Sequence, residues 1–263
     1  MKLDLDRFNE LLSKPIEELH VDNGVGTLSE KYLHALLKNY YEANKSFHEV
    51  KIERFTADIC RGNEIIEIQT RQLNRLREKL EAYMLLGYNV RVVYPIPRQR
   101  WLVWVDNETG ETTKRRKSPK IGSFFSSFFE LYKIKYFLDW DKLTIELLLF
   151  DAEEYRNLDG YGKHRKYRST RLEMMPLAFV DSLTLESPKD YMAFIPDNLP
   201  SIFKSSDYAK AMNTDLSYAN TALNILNYLG VTQKCGRDGR AYLYEVNHEM
   251  KTNPLKTGDT LEN

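Results

Sequence analysis

The chain has 263 residues, room for one large domain or two smaller ones, and its 42% hydrophobic and 29% charged residues are those of an ordinary soluble globular protein. The 38 Lys and Arg balance the 38 Asp and Glu, so no global positive field marks the chain for nucleic acid, and such contact requires locally concentrated charge. Cys60 and Cys235 lie too far apart in sequence for a zinc or disulfide pattern, and the longest apolar run, IELLLF, is too short to span a bilayer.

The N-terminal MKLDLDRFNELLSKP is acidic and amphipathic and lacks the apolar core of a signal peptide, so a cytoplasmic protein without a membrane partner is expected. Residues 6 to 13 predict a short helix stopped by Pro15. After the turn-rich VDNGVG, Thr27 and Glu30 form a T-x-x-E capping box. It opens a helix whose inward face carries Leu33, Leu36, Leu37 and Tyr40. Glu30 shares that face, which would aim a carboxylate at the strands that follow.

Three strands come next: FHEVKIE, RFTADIC and EIIEIQT. Arg61-Gly62-Asn63 between the last two reads as a hairpin turn. Strand period puts Ile66 and Ile68 on one face and Ile65, Glu67 and Gln69 on the other, and the hairpin brings Asp58 near Glu67. Two adjacent carboxylates repel unless a cation or a proton lies between them. Oxygen-rich pairs of this kind suit Mg²⁺ or Mn²⁺. The same alternation also fits a plain solvated hairpin face.

A helix over about Gln72–Leu86 carries Leu73, Leu76, Leu80, Tyr83 and Met84 on one side and stops at Gly87. NVRVVYPI reads as a strand buried on both faces, and RWLVWVD as another. The order α-β-β-β-α-β-β makes the sheet mixed, because a strand, a crossover helix and a strand form a parallel pair beside the hairpin.

Residues 107–195 read as a basic α/β extension. They hold KRRKSPK (with Lys114, Arg115 and Arg116), an aromatic helix SFFSSFFELYKIKYFL, a strand LTIELLLF, and GYGKHRKYRSTR (with Lys163, Arg165 and Lys166). From Arg91 to Arg171 there are 17 Lys and Arg against 11 Asp and Glu, whereas residues 1 to 70 hold 9 against 13. A basic flank thus adjoins an acidic site, although charge runs are also the normal clothing of solvated loops. The aromatic residues fit a core.

Pro196 and Pro200 mark a boundary. SSDYAKAM, NTD and LSYANTALNILNYLG predict helix, turn and helix, and VTQKCGRDGRAYLYEV a hairpin, which is winged helix-turn-helix order over residues 196–247. Ala219, Ala222, Leu223, Leu226 and Leu229 form the buried stripe of the second helix. Ser217, Tyr218, Asn220, Thr221 and Asn224 are neutral groups suited to base edges or phosphates, and Arg237 and Arg240 flank the hairpin tip. That helix carries no Lys or Arg, so a protein-interaction module is the competing reading. Residues 248–263 read as a disordered tail.

Over residues 20 to 106 the chain resembles the PD-(D/E)XK nuclease superfamily, the fold of restriction endonucleases and archaeal-type Holliday junction resolvases. The resemblance rests on the Glu30 helix, the Asp58–turn–Glu67-x-Gln69 hairpin, the next amphipathic helix and NVRVVYPI. The whole chain is similar to a group of uncharacterised bacterial proteins that join such a domain, residues 1–106 here, to a C-terminal winged helix. The resemblance implies a restriction endonuclease-like mixed sheet and metal bound by Asp58 and Glu67. Glu30 would complete or orient that site. Gln69 stands where the family usually has its catalytic lysine. Glutamine is neutral and offers hydrogen bonds only, although some branches carry it. Arg71 or Arg75 would then return the positive charge. The activity implied is Mg²⁺- or Mn²⁺-dependent hydrolysis of phosphodiester bonds in DNA, duplex or branched. The alternatives are a catalytically silent DNA-binding or regulatory protein of the same fold and an interaction scaffold. A homodimer is one assembly open to it.

Overall fold

The computed structural model describes residues 4–19, 32–106, 108–157 and 171–251. Two compact units divide the chain: Met1–Ser127 with Thr144–Thr184, and Phe128–Leu143 with Leu185–Asn263. The stretch 107–195, expected as one extension, is thus shared between them.

The first unit opens with helix α1 (Leu5–Leu12), whose Asp4 carboxylate accepts the Arg7 N–H at 3.0 Å and so caps the first turn. Helix α2 (Ile16–Leu19) follows Pro15, and α3 (Tyr32–Tyr41) comes next. The proposed capping box at Thr27 and Glu30 lies outside the described residues. Helix α3 was expected to bury one face, yet Tyr32, Leu33 and every residue from Ala35 to Tyr41 are buried. The cause is added cover from α1 and α2. Arg7 donates to the Asn39 carbonyl at 3.0 Å, Tyr40 Oη accepts the Asp4 N–H at 2.8 Å, and Asn39 donates to the Leu19 carbonyl.

Among the described residues the sheet has seven strands. Strands β1 (His48–Ile52), β2 (Phe55–Arg61) and β3 (Glu64–Ile68) form an antiparallel meander. A 3₁₀ turn (Leu73–Leu76) and helix α4 (Arg77–Leu85) cross over to β4 (Asn89–Val105), which runs parallel to β3. The sheet is therefore mixed, as the element order implies. Gly87 closes the crossover at φ 78°, a conformation side chains resist. Strand β5 (Arg116–Ile121) pairs with the far half of β4, and β6 (Leu143–Asn157) and β7 (Arg171–Leu185) complete the order β1-β2-β3-β4-β6-β7. The pairs Arg91–Glu146, Arg98–Asp151 and Arg100–Glu154 ascend together along β4 and β6, the running order of parallel strands.

Strand β4 was expected as two strands, broken after Ile96. It is one strand of 17 residues. Pro95 and Pro97 survive inside it because pairing with β3 ends at Val93 and pairing with β5 begins at Gln99. No neighbour on that edge requires an N–H from either proline. The apolar cluster of α1 and α3 against the sheet includes Phe8, Leu36, Ile59, Ile66, Ile68, Val93, Leu148, Phe150 and Ala152.

In the second unit the expected aromatic helix is three short pieces: α5 (Phe128–Leu131) lies between 3₁₀ turns at Phe124–Ser127 (in the first unit) and Tyr132–Phe137. Ile134, at φ −119° and ψ 21°, breaks the helical path. A 3₁₀ segment (Pro188–Phe194) precedes strand β8 (Ile202–Phe203), helices α6 (Ser205–Ala211) and α7 (Leu216–Tyr228), and the hairpin β9 (Thr232–Asp238) and β10 (Ala241–Val246). Asn213, at φ 48°, makes the turn between the helices, and Asp215 caps α7. The three strands run β8-β10-β9. The tail expected from residue 248 starts with a 3₁₀ turn, His248–Lys251, and residues 252–263 lie outside the described residues. Among the described residues no helix is long and apolar enough to cross a membrane.

Candidate active site

The hairpin of β2 and β3 turns at Gly62, φ 57°, with Ile59↔Ile66, Cys60↔Ile65 and Arg61↔Glu64 in register. One step further would set Asp58 opposite Glu67, and there the ladder stops. The Asp58 carboxylate, in place of a partner carbonyl, accepts the Ile68 N–H through Oδ2 at 2.7 Å. His34 Nε2 from the first turn of α3 lies 3.2 Å from the same oxygen. The acid therefore stands where the two strands part.

Glu67 is 2% exposed. Lys79 of α4 reaches both its oxygens, at 3.0 and 2.9 Å, and also donates to the Thr56 carbonyl at 2.7 Å. Tyr83, one helical turn on, donates its hydroxyl to Glu67 Oε1 at 3.0 Å. The i, i+4 spacing puts Lys79 and Tyr83 side by side. Leu73, Leu76 and Leu80 hold the crossover segment against the sheet.

The two carboxyl groups diverge in proton affinity. Burial and then the Asp58 charge push Glu67 up to about 8, against the opposing pull of Lys79 and Tyr83. Burial also raises Asp58, but the His34 hydrogen bond and charge, the Ile68 N–H and Lys79 outweigh it and leave the group below its ordinary value. Near neutral pH, Asp58 carries the firm negative charge, and Glu67 is poised between its two forms.

By donor type the pair fits a hard divalent cation, since both offer carboxylate oxygens. Among the described residues no group of three or more His, Cys, Asp and Glu side chains could hold a metal, and Glu30, the expected third carboxylate, lies outside them. Gln69 follows on β3's path, its N–H donating to the Val93 carbonyl at 2.9 Å. Its side-chain amide donates to the Arg71 carbonyl.

The basic candidates scatter. Arg71 and Arg75 are exposed beside the crossover, and Lys114 and Arg116 are exposed at β5. Arg115 pairs with Glu153 at 3.0 Å and stacks on Trp101 at 4.5 Å. Lys163, Arg165 and Lys166 lie outside the described residues. On α7, Tyr218 packs edge-on against Phe129 with ring centroids 4.0 Å apart, and Asn224 accepts from Lys135 at 3.0 Å. Asn220 is exposed, as are Arg237 and Arg240 at the hairpin tip, where Arg237 donates to the Tyr242 hydroxyl. The segment 128–139 thus occupies part of the outer side of α7.

The sequence places Tyr83 in the apolar stripe of α4 and gives His34 and Lys79 no role. Lys79, four residues before Tyr83, was a signal for that pair, because a lysine beside a buried stripe runs its stem along it. Nothing local marks His34.

A family model described as "Domain of unknown function (DUF8091)" matches residues 31–186, a span that includes Asp58, Glu67, Lys79 and all seven strands of the sheet. A protein of Treponema pallidum (strain Nichols) bearing the name "Uncharacterized protein" is 31% identical over 222 residues, 84% of this chain and 86% of its own length. No solved structure matches the chain.

Proposed function

We propose for this chain, which belongs to the family of the domain of unknown function DUF8091, the role of a cytoplasmic, divalent-metal-dependent nuclease that hydrolyses phosphodiester bonds in DNA. The observation that carries this reading is the placement of Asp58 and Glu67 on one side of a parting hairpin, with the Lys79 ammonium 2.9 Å from Glu67. The reading takes the mixed sheet as a restriction endonuclease-like core and the β8–β10 unit as a winged helix.

A cation held by Asp58 and Glu67 would supply a water of lowered pKa and a charge against the phosphate. The protein groups divide the remaining work. His34 and the Ile68 N–H orient Asp58 and keep it ionised. Tyr83 and Lys79 orient Glu67 and oppose the burial that favours its protonated form. Lys79 also offers a fixed positive charge to the negative charge that builds on the phosphate, the role that neutral Gln69 leaves open. Asn220, Arg237 and Arg240 offer contacts to a DNA backbone.

A second reading, a catalytically silent DNA-binding protein of the same fold, is favoured by the Lys79 and Tyr83 bonds that engage both Glu67 oxygens. Cleavage of linear duplex, single-stranded and branched DNA under saturating Mn²⁺ separates the two. Wild type should cleave, Asp58→Ala should not, and Lys79→Ala should lose about 10²–10³ in rate. A wild type inert on every substrate, with a folded Gln69→Lys variant that cleaves, establishes the silent reading.

A further inference from the structure

Glu154 lies on the side of β6 that carries Leu148, Phe150 and Ala152, and is fully buried. Three arginines from three adjacent strands converge on it. Arg100 Nη1 donates to Oε2 at 3.1 Å, and Arg156 Nε and Arg171 Nε donate to Oε1 at 2.7 and 3.0 Å. The Arg156 guanidinium also lies 5.9 Å from the Trp104 ring. A fourth arginine, the exposed Arg71, is close enough for its charge to act on Arg171.

One carboxylate neutralises one guanidinium. Each guanidinium carries five N–H donors in a rigid fork, and a carboxylate offers roughly four acceptor sites, so Arg100 and Arg171 alone exceed Glu154 in charge and donors. Their excess reaches solvent: the side chains of Arg100 and Arg171 are 20% and 27% exposed. Burial lowers the Arg171 pKa, Glu154 opposes this, and Arg71 and Arg100 lower it further, the mark of like charges crowded together. Glu154 fixes the forks in place, and the surplus donors match the tetrahedral oxygens of a phosphate.

We propose that Arg71, Arg100 and Arg171, ordered around Glu154, form a phosphate-binding site that takes the sugar-phosphate backbone of nucleic acid. This rests on the nuclease reading for the identity of the ligand, and chain connectivity supports it. Arg71 is three residues beyond Ile68, whose N–H holds Asp58, and three residues span at most about 11 Å. The Gln69 amide bonded to the Arg71 carbonyl ties the two places together. A strand that reaches Arg71 therefore comes within that span of the Ile68 N–H that holds Asp58.

The test uses the full chain in EDTA, which removes cleavage, and the fluorescence anisotropy of labelled duplex and single-stranded oligonucleotides. Inorganic phosphate serves as competitor. Arg71→Gln, Arg100→Gln and Arg171→Gln should each weaken binding about tenfold or more and flatten the salt dependence by about one unit of slope. Arg71→Gln leaves the Glu154 ion pairs intact, so it decides the matter even where the other two variants melt early. Folded variants with wild-type affinity and salt slope would overturn the proposal. So would a wild type whose arginines bind inorganic phosphate but no oligonucleotide. Asp58→Ala should abolish cleavage in Mn²⁺ and retain arginine-dependent binding in EDTA. Binding through the arginines without cleavage by wild type removes the nuclease reading and keeps this site. Cleavage with normally binding arginine variants does the reverse.

Discussion

Glu67 and Glu154 are both buried acids on neighbouring parts of one sheet, and they have opposite electrostatic fates. Glu67 has one ammonium, one phenol and a second carboxylate for company, and is pushed up to about 8. Glu154 has three guanidiniums: burial raises it, but Arg171, Arg156 and Arg100 together bring it below its ordinary value. Burial alone therefore does not decide the charge of an interior carboxylate. The count of cations against anions does. Where anions outnumber cations the place is short of positive charge and suits a metal ion. Where cations outnumber anions it is short of negative charge and suits a phosphate.

Removing Glu154 should break the comparison most severely. Glu154→Gln leaves three guanidiniums facing one another and should cost about 3–5 kcal/mol in denaturant unfolding at neutral pH. The Glu154 pKa is depressed in the folded chain, so its contribution is present above the ordinary carboxylate value and fades as pH falls through the folded one. The gap between wild type and variant should close in acid.

Glu67 should show the opposite slope. Its folded pKa is raised, so between about 4.3 and about 8 the native chain keeps a proton that the unfolded chain has released. Wild-type stability should fall relative to Glu67→Gln as pH rises through that window, read as the difference in Tm across a pH series. A flat difference would mean that Lys79 holds Glu67 fully ionised throughout.

Tyr83→Phe removes one hydrogen bond to the Glu67 carboxylate and should cost about 1.5–3 kcal/mol by the same unfolding measurement, more at high pH than at low. The smallest effect is expected at Gln69. Its amide serves the Arg71 carbonyl, a bond worth about 0.5–1.5 kcal/mol, so Gln69→Ala should shift Tm slightly and alter oligonucleotide binding more than any Mn²⁺-dependent rate.

The β2–β3 hairpin was legible because a two-residue period and Gly62 fix both faces at once, and Asp58 and Glu67 fall on the same side by that rule alone. The mixed sheet followed from element order. Strand β4 was less so, since Pro95 and Pro97 argue for a break unless the neighbours on each half are known. Strand β7 escaped reading because RLEMMPLAFVDSLTL has neither clean alternation nor a continuous apolar run, and carries Pro176. His34 lies 24 residues from Asp58, Lys79 12 from Glu67, and Arg100 54 from Glu154. Periodicity reports which way a side chain points from its own element, and these partners meet only after separate elements have packed.

The stacking of Arg156 over Trp104 gives the arginine cluster an optical readout of its own. The chain has three tryptophans, and replacing Trp101 and Trp140 by phenylalanine would leave Trp104 as its single indole emitter. A guanidinium 5.9 Å from the ring polarises its excited state, and an anion drawn to Arg100 and Arg171, which share Glu154 with it, shifts the emission without any dye or label. Titrating such a chain with unlabelled nucleic acid would turn occupancy of the site into a colour change of the protein itself.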